Sequence, residues 1–171
     1  MVSFDVLYEM FFDLIEKDRD FWQYNNISVD DAIIIAKQRA ERYLKEALSY
    51  LSLKCTPDKC GVDFMDFNED SKTLNGDFKY NELDIIANVM YERYLFRDFS
   101  RLKAQANRFT TKDFNVFSPA NERASFLNMY NFVKNNNDVL IDHYLSIDKK
   151  TGNTKTLDYS SVDEWGGNSN D

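Results

Sequence analysis

From Asn81 to Asn107 the chain reads NELDIIANVMYERYLFRDFSRLKAQAN, with neither glycine nor proline. Because proline costs about 3 kcal/mol inside a helix and glycine about 1 kcal/mol, their absence predicts one long, unbroken helix. Asn81 is placed to accept a hydrogen bond from an unpaired amide at the start. Asp84, three residues on, adds a capping-box-like entry and negative charge at the positive end of the helix dipole. Leu83, Ile86, Ala87, Met90 and Tyr94 then fall on one apolar stripe. Beyond it the stripe changes character. The face of Ile86 and Met90 continues as Arg93, Arg97 and Arg101, while Leu95, Phe96, Phe99 and Leu102 gather on the other side. One helix is thus expected to serve a core first and a cationic ladder afterwards.

The rest of the composition agrees with a helical protein. At 171 residues and 43% hydrophobic, the chain can bury one sizeable core as a single folding unit. Fourteen Phe and ten Tyr against five Gly and two Pro favour long helices over tightly turned sheets. The expected class is all-α, a bundle of about four helices over 1–145, followed by a small hairpin and extended arm over 146–171. A formal charge of −8 argues against a surface that wraps nucleic acid, although a local basic patch is allowed. No run approaches the roughly twenty apolar residues of a membrane span, and Asp5 and Glu9 stand where a signal peptide is basic. A soluble protein made in the cytoplasm is expected, with Cys55 and Cys60 kept as thiols.

In chain order, Ser3 opens a first helix carrying Phe4, Leu7, Tyr8, Phe11, Leu14 and Ile15, to about Lys17. Phe21, Trp22 and Tyr24 form an aromatic knot suited to a helix corner. Ser28, with Asp31 at the capping-box position, opens a second helix whose stripe is Val29, Ile33, Ala36, Ala40, Tyr43, Ala47 and Tyr50. Its alanines would let another helix approach closely. From Lys54 to Tyr80 the periodicity fails in an irregular acidic connection, punctuated by Pro57, Gly61 and the turn-type pair Asn75-Gly76, with Phe64, Met65 and Phe67 as anchors. Phe114 and Phe117 are expected to pin an elbow before Ser118-Pro119, a strong helix start. The last helix runs from about Pro119 to Tyr144 through Phe126, Tyr130, Val133, Leu140 and Ile141, with a weak point at 135–137. Thr151-Gly152-Asn153 marks the hairpin, and the segment from Asp163 is a polar tail.

Chemistry-bearing motifs are scarce. His143 is the single histidine, and Cys55 with Cys60 would supply at most two ligands of a four-coordinate zinc site. Asp66, Asn68 and Asp70 occupy the first, third and fifth positions of a calcium loop. However, Ser71 replaces the turn glycine, and Asp77 stands where a bidentate glutamate belongs. Beside Asp142, His143 has no nucleophile motif nearby, and no glycine-rich phosphate loop is present. The reading is a non-enzyme with no catalytic residue, metal or cofactor.

Two features rise above this background. Arg93, Arg97, Arg101, Lys103, Arg108 and Lys112 accumulate against one acid, Asp98, in an otherwise acidic chain. Beyond Lys155 the tail carries Asp158, Asp163, Glu164 and Asp171 with no base, and its Tyr159 and Trp165 are rings of the kind that anchor interfaces. A basic ladder and an acidic aromatic tail on one chain invite head-to-tail contact between copies, which closes into rings. The candidate interface residues are therefore Arg93, Arg97, Arg101, Arg108, Tyr159, Asp163, Glu164 and Trp165. The alternative is a small helical regulatory or binding module gripping an acidic partner or nucleic acid through the same basic face.

The order of parts resembles a family. A long amphipathic region, an irregular connection, YNELDIIANVMYERYLFRDFSRLKAQ, then TTKDFNVFSPANERASFLNMYNFVK and a polar extension resemble the head-to-tail connector (adaptor) proteins of tailed bacteriophage necks, over about residues 28 to 145. The resemblance implies a helical bundle closed by head-to-tail contacts into a homo-oligomeric ring of about twelve copies in the virion. The ring would lie between the portal protein and the stopper or tail completion protein. Its C-terminal arm would reach the portal, and double-stranded DNA would pass through its lumen without specific binding. An acidic lining suits that passage, since it repels the duplex where a basic one would hold it.

Overall fold

The computed structural model describes residues 1–22, 24, 26–108, 119–148 and 151–155, without the side chains of 19–20, 98–99, 101–108 and 119–123. It is mostly helical and carries a small three-stranded antiparallel sheet. The order is β1 (Val2–Ser3), α1 (Phe4–Leu14), α2 (Arg19–Trp22), α3 (Val29–Lys54), α4 (Pro57–Cys60), β2 (Phe67–Asn68), β3 (Thr73–Leu74), α5 (Tyr80–Arg108) and α6 (Pro119–Ser146). The principal packing is α1, α3 and α6 on α5, with α1 also against α3.

The long uninterrupted stretch is α5, and it is central because it is buried on more than one side. Leu83, Ile86, Ala87, Met90 and Tyr94 are all buried, and so are Ile85, Val89 and Leu95. Its entry lies two residues earlier than Asn81. The Lys79 carbonyl accepts from the amides of Glu82 (3.0 Å) and Leu83 (3.2 Å), and the Lys79 amide donates to the Glu82 carboxylate at 2.7 Å. Glu82 therefore does the capping expected of Asp84. It is itself buried and accepts a second hydrogen bond from the Tyr144 hydroxyl at 2.9 Å, which ties α6 to the start of α5.

Both earlier helix starts form as the sequence predicts. The Ser3 hydroxyl accepts from the Asp5 amide. Ser28 accepts from the Asp31 amide at 3.1 Å and donates to the Asp31 carboxylate at 2.7 Å, a closed capping box. The apolar stripe of α3 turns inward only at Ala36, leaving Val29 and Ile33 exposed. The aromatic knot is core: Phe21 is buried against Phe11 and Tyr94, while the Arg39 guanidinium covers its ring at 4.1 Å and donates to its carbonyl at 2.9 Å.

The irregular acidic connection holds the sheet, whose order is β1-β3-β2. Val2 and Phe67 both pair with Leu74, and Ser3 and Asn68 with Thr73, so the first residues of the chain close onto this connection. Strands of two residues are too short for an alternating pattern to register. The hairpin turn lies at 69–72, not at Asn75-Gly76. Asn68 accepts from the amides of Asp70 (2.8 Å) and Ser71 (3.1 Å), and Asp66 accepts from the Asn75 side chain (2.9 Å). The residues at calcium-loop spacing thus hold their own turn. Among the described residues, no cluster of three or more His, Cys, Asp or Glu could hold a metal ion. Glycine at 76 answers a close approach, since a Cβ there would meet the Phe78 ring at 2.8 Å.

α6 runs unbroken through 135–137. Asn137, expected at a weak point, is buried and donates to the Asn88 carbonyl (3.1 Å) and the Glu92 carboxylate (3.0 Å). After α6 an antiparallel bridge joins Ile147 to Thr154 around Gly152, which has φ +71°. Cys55 and Cys60 are buried and not joined in a disulfide. Among the described residues no helix is long and apolar enough to cross a membrane. The elbow at Phe114, Phe117 and Ser118 and the tail from Thr156 onward lie outside the described residues.

Candidate interaction surface

The change of face on α5 has a physical basis in what α3 offers opposite it. Tyr94 is the last fully enclosed ring, packed edge-on against Phe11, Phe21 and Tyr43, with its hydroxyl bonded to the Asp18 carboxylate. On the neighbouring face α3 presents Tyr43 and Tyr50, seven residues and two turns apart on one side of the helix. The Arg93 guanidinium lies 4.2 Å from the Tyr50 ring centroid, and that of Arg97 lies 5.9 Å from the Tyr43 ring. The first two rungs of the ladder therefore rest on aromatic faces, an arrangement worth about 0.5–2 kcal/mol per contact according to how dry it is.

The two rungs are not equivalent. Arg93 is half-buried, and its Nε is enclosed without a hydrogen-bond partner among the described residues. Arg97 is exposed, as is Phe96 beside it, although the Phe96 ring still meets that of Tyr130 on α6 at 5.9 Å. Arg101 and Arg108 belong to the helix, with side chains outside the described residues, as are Tyr159, Asp163, Glu164 and Trp165 altogether. His143 is exposed on α6, and its carbonyl accepts from the Ser146 hydroxyl at 2.7 Å.

Compared with protein-family models, with curated proteins and with solved structures, the chain matches none.

A second arrangement, which the sequence does not announce, clamps α3 to α6. Asp138 accepts from the ammonium groups of Lys54 and Lys134 and, at 3.4 Å, from the Tyr50 hydroxyl. Tyr50 thus sits between Arg93 on its ring and Asp138 on its hydroxyl. The i,i+4 spacing of Lys134 and Asp138 is visible in the sequence, but nothing there points to Lys54. Hydrogen bonds from Lys134, then Lys54, hold the Asp138 carboxyl below its ordinary range. A depressed carboxylate adds stability that is present above its unfolded pKa of about 3.9 and lost as pH falls through the folded value. These side chains are 30–42% exposed, so screening limits the gain to about 1 kcal/mol or less. Asp138→Asn is expected to cost that much at pH 7 in urea unfolding, and progressively less as the pH is lowered and the wild-type carboxyl takes up its proton.

A third feature is the outer face of α6. From Ala124 to Leu140 the exposed residues are uncharged apart from the side chain of Lys134, which is paired with Asp138, in a chain of which 29% is Asp, Glu, Lys or Arg. Phe132 and Val139 are the most open of its apolar members, at 66% and 67% exposure. Of the apolar stripe expected of this helix, Phe126, Tyr130, Val133, Ile141 and Tyr144 pack inward, whereas Leu140 is exposed. The missing charge on the other side is the signal in the sequence that marks the outer face.

Proposed function

We propose that the chain is a structural adaptor in the neck of a tailed bacteriophage. Copies would assemble as a ring between portal and stopper and let DNA pass through the lumen. The observation that carries this reading is that α5 presents Phe96 and Arg97 to the outside, on a chain whose tail is acidic and aromatic. The three long helices α3, α5 and α6 and the shorter α1, with α5 at the centre, support a bundle, and the bridge between Ile147 and Thr154 supports a hairpin leading into the arm. Neither Arg93, stacked on Tyr50, nor the overall charge of −8 favours the rival binding module, which retains Arg97 as its exposed cation.

Weak contacts repeated around a ring give high avidity without any single strong site, so the arm should matter for assembly more than for folding. Deleting Asp158 to Asp171 is expected to leave the far-ultraviolet dichroism and thermal midpoint unchanged while abolishing co-purification with the portal protein of the same genome. Full occupancy of the portal by the truncated chain would sink the arm's role. Salt-sensitive DNA binding by the isolated monomer, lost in Arg97→Ala, would favour the rival reading.

A further inference from the structure

α3 and α6 both run antiparallel to α5. On α3, Tyr50 and then Tyr43 meet Arg93 and Arg97, and on α6, Tyr144, Asn137 and Tyr130 meet Glu82, Glu92 and Phe96 in turn. The strip of α5 between the two helices carries Arg93 and Arg97, one turn apart. Lys54 from α3 and Lys134 from α6 flank it, joined across it by Asp138. Four cations thus face two acids, Asp138 and the buried Glu92, while the exposed Arg42 and Glu46 of α3 offset each other. Neither Arg93 nor Arg97 has an ion-pair partner among the described residues. At the far end Phe96, and Leu127 one turn before Tyr130, add exposed apolar surface. The near end is where the arm departs. The Lys155 amide donates to the Ser146 carbonyl at 2.7 Å, and its ammonium donates to the carbonyls of Leu145 (2.9 Å) and Lys59 (3.3 Å).

We propose that in the free chain the arm, Asp158 to Asp171, docks on this strip of its own molecule, with its carboxylates on Arg93 and Arg97 and Trp165 over Phe96 and Leu127. Charge complementarity selects the surface. In a chain of net charge −8 the strip is locally positive, and beyond Lys155 the arm carries Asp158, Asp163, Glu164 and Asp171 with no base. Reach allows it. α5 rises about 22 Å from Glu82 to Arg97, and the chain from Lys155 to Trp165 extends to about 33 Å. Tethering selects the chain's own strip over a neighbour's, because a short linker holds the arm at an effective concentration in the millimolar range. Exposed ion pairs add little stability, so the contact agrees with a thermal midpoint that does not depend on the arm. The inference goes beyond the adaptor reading, since it concerns the chain before any partner is met.

The test uses the full chain, labelled with ¹⁵N and carrying a nitroxide on Ser161→Cys, a change that leaves every charge of the arm in place. Cys55 and Cys60 are buried, and the wild type treated with the same reagent is the blank. Amide signals around Arg93 to Arg97 and Tyr130 to Lys134 are expected to broaden. The broadening should vanish in 1 M NaCl, where the screening length falls to about 3 Å. It should vanish equally with Arg97→Glu, checked for folding by dichroism, and with Asp163→Asn plus Glu164→Gln in the arm. Spin-labelled chains without ¹⁵N, mixed with label-free ¹⁵N chains, should broaden nothing. Broadening spread evenly over the chain, broadening that survives these charge changes, or broadening that arises only between molecules would each overturn the contact. Binding to portal is measured separately, so the adaptor reading stands or falls on its own result.

Discussion

Tyr94→Ala is expected to destabilise the fold by about 3–5 kcal/mol, the range for emptying a large aromatic site in a packed core. The site is unusually connected. Tyr94 is 1% exposed and meets rings from α1, from α2 and from α3, at centroid distances of 6.1 Å to Phe11, 5.7 Å to Phe21 and 5.8 Å to Tyr43. Its removal opens a cavity where three elements converge on α5, and no single one can collapse into it without leaving the others. For a chain of this length each kcal/mol moves the thermal midpoint by about 2–4 °C, so a fall of about 10 °C is expected. Tyr94→Phe separates the ring from the hydroxyl. It keeps the packing, gives up the hydrogen bond to Asp18, and is expected to cost about 1.5–3 kcal/mol, the range for a bond to a charged group. An alanine variant melting within about 2 °C of wild type would show that the aromatic cluster does not hold the fold together.

The second large effect is expected at Asn137. Its amide serves the Asn88 carbonyl and the Glu92 carboxylate, and Glu92 is only 2% exposed. Asn137→Leu keeps the number and branching of side-chain heavy atoms and removes the donor, leaving a buried acceptor on α5 without its partner. A cost of about 2–4 kcal/mol is expected, because the loss is the desolvation of the abandoned group and not only the bond. The double variant Glu92→Leu with Asn137→Leu replaces both partners, and in denaturant titrations it should be less unstable than the sum of the two singles. Strict additivity would mean that Asn137 and Glu92 do not act as a unit.

These two sites mark the boundary between what local sequence determines and what it does not. α5, the capping box at Ser28 and, apart from the exposed Leu14, the inward stripe of α1 are legible because helix periodicity and capping are local. Three consecutive asparagines lower helix propensity, which makes 135–137 look weak. A buried partner on α5 reverses that expectation, and the sequence of α6 alone cannot show it. The sheet escapes for a related reason: its strands have two residues each, and β1 finds β3 across seventy residues of chain. The Arg93 to Arg97 ladder is visible as spacing, whereas its aromatic seats on Tyr50 and Tyr43 depend on how α3 and α5 are aligned. His143 and the acidic turn carry little chemical signal, and the structure places the turn's side chains in hydrogen bonds of their own.

The central claim is assembly, and the most direct measurement is the mass and symmetry of the full-length chain bound to the portal protein of the same genome, by native mass spectrometry and electron microscopy. The expected result is a ring of about twelve copies docked on the portal, closed by repeated head-to-tail contacts. A chain that remains monomeric and unbound when portal is present in excess would contradict the account.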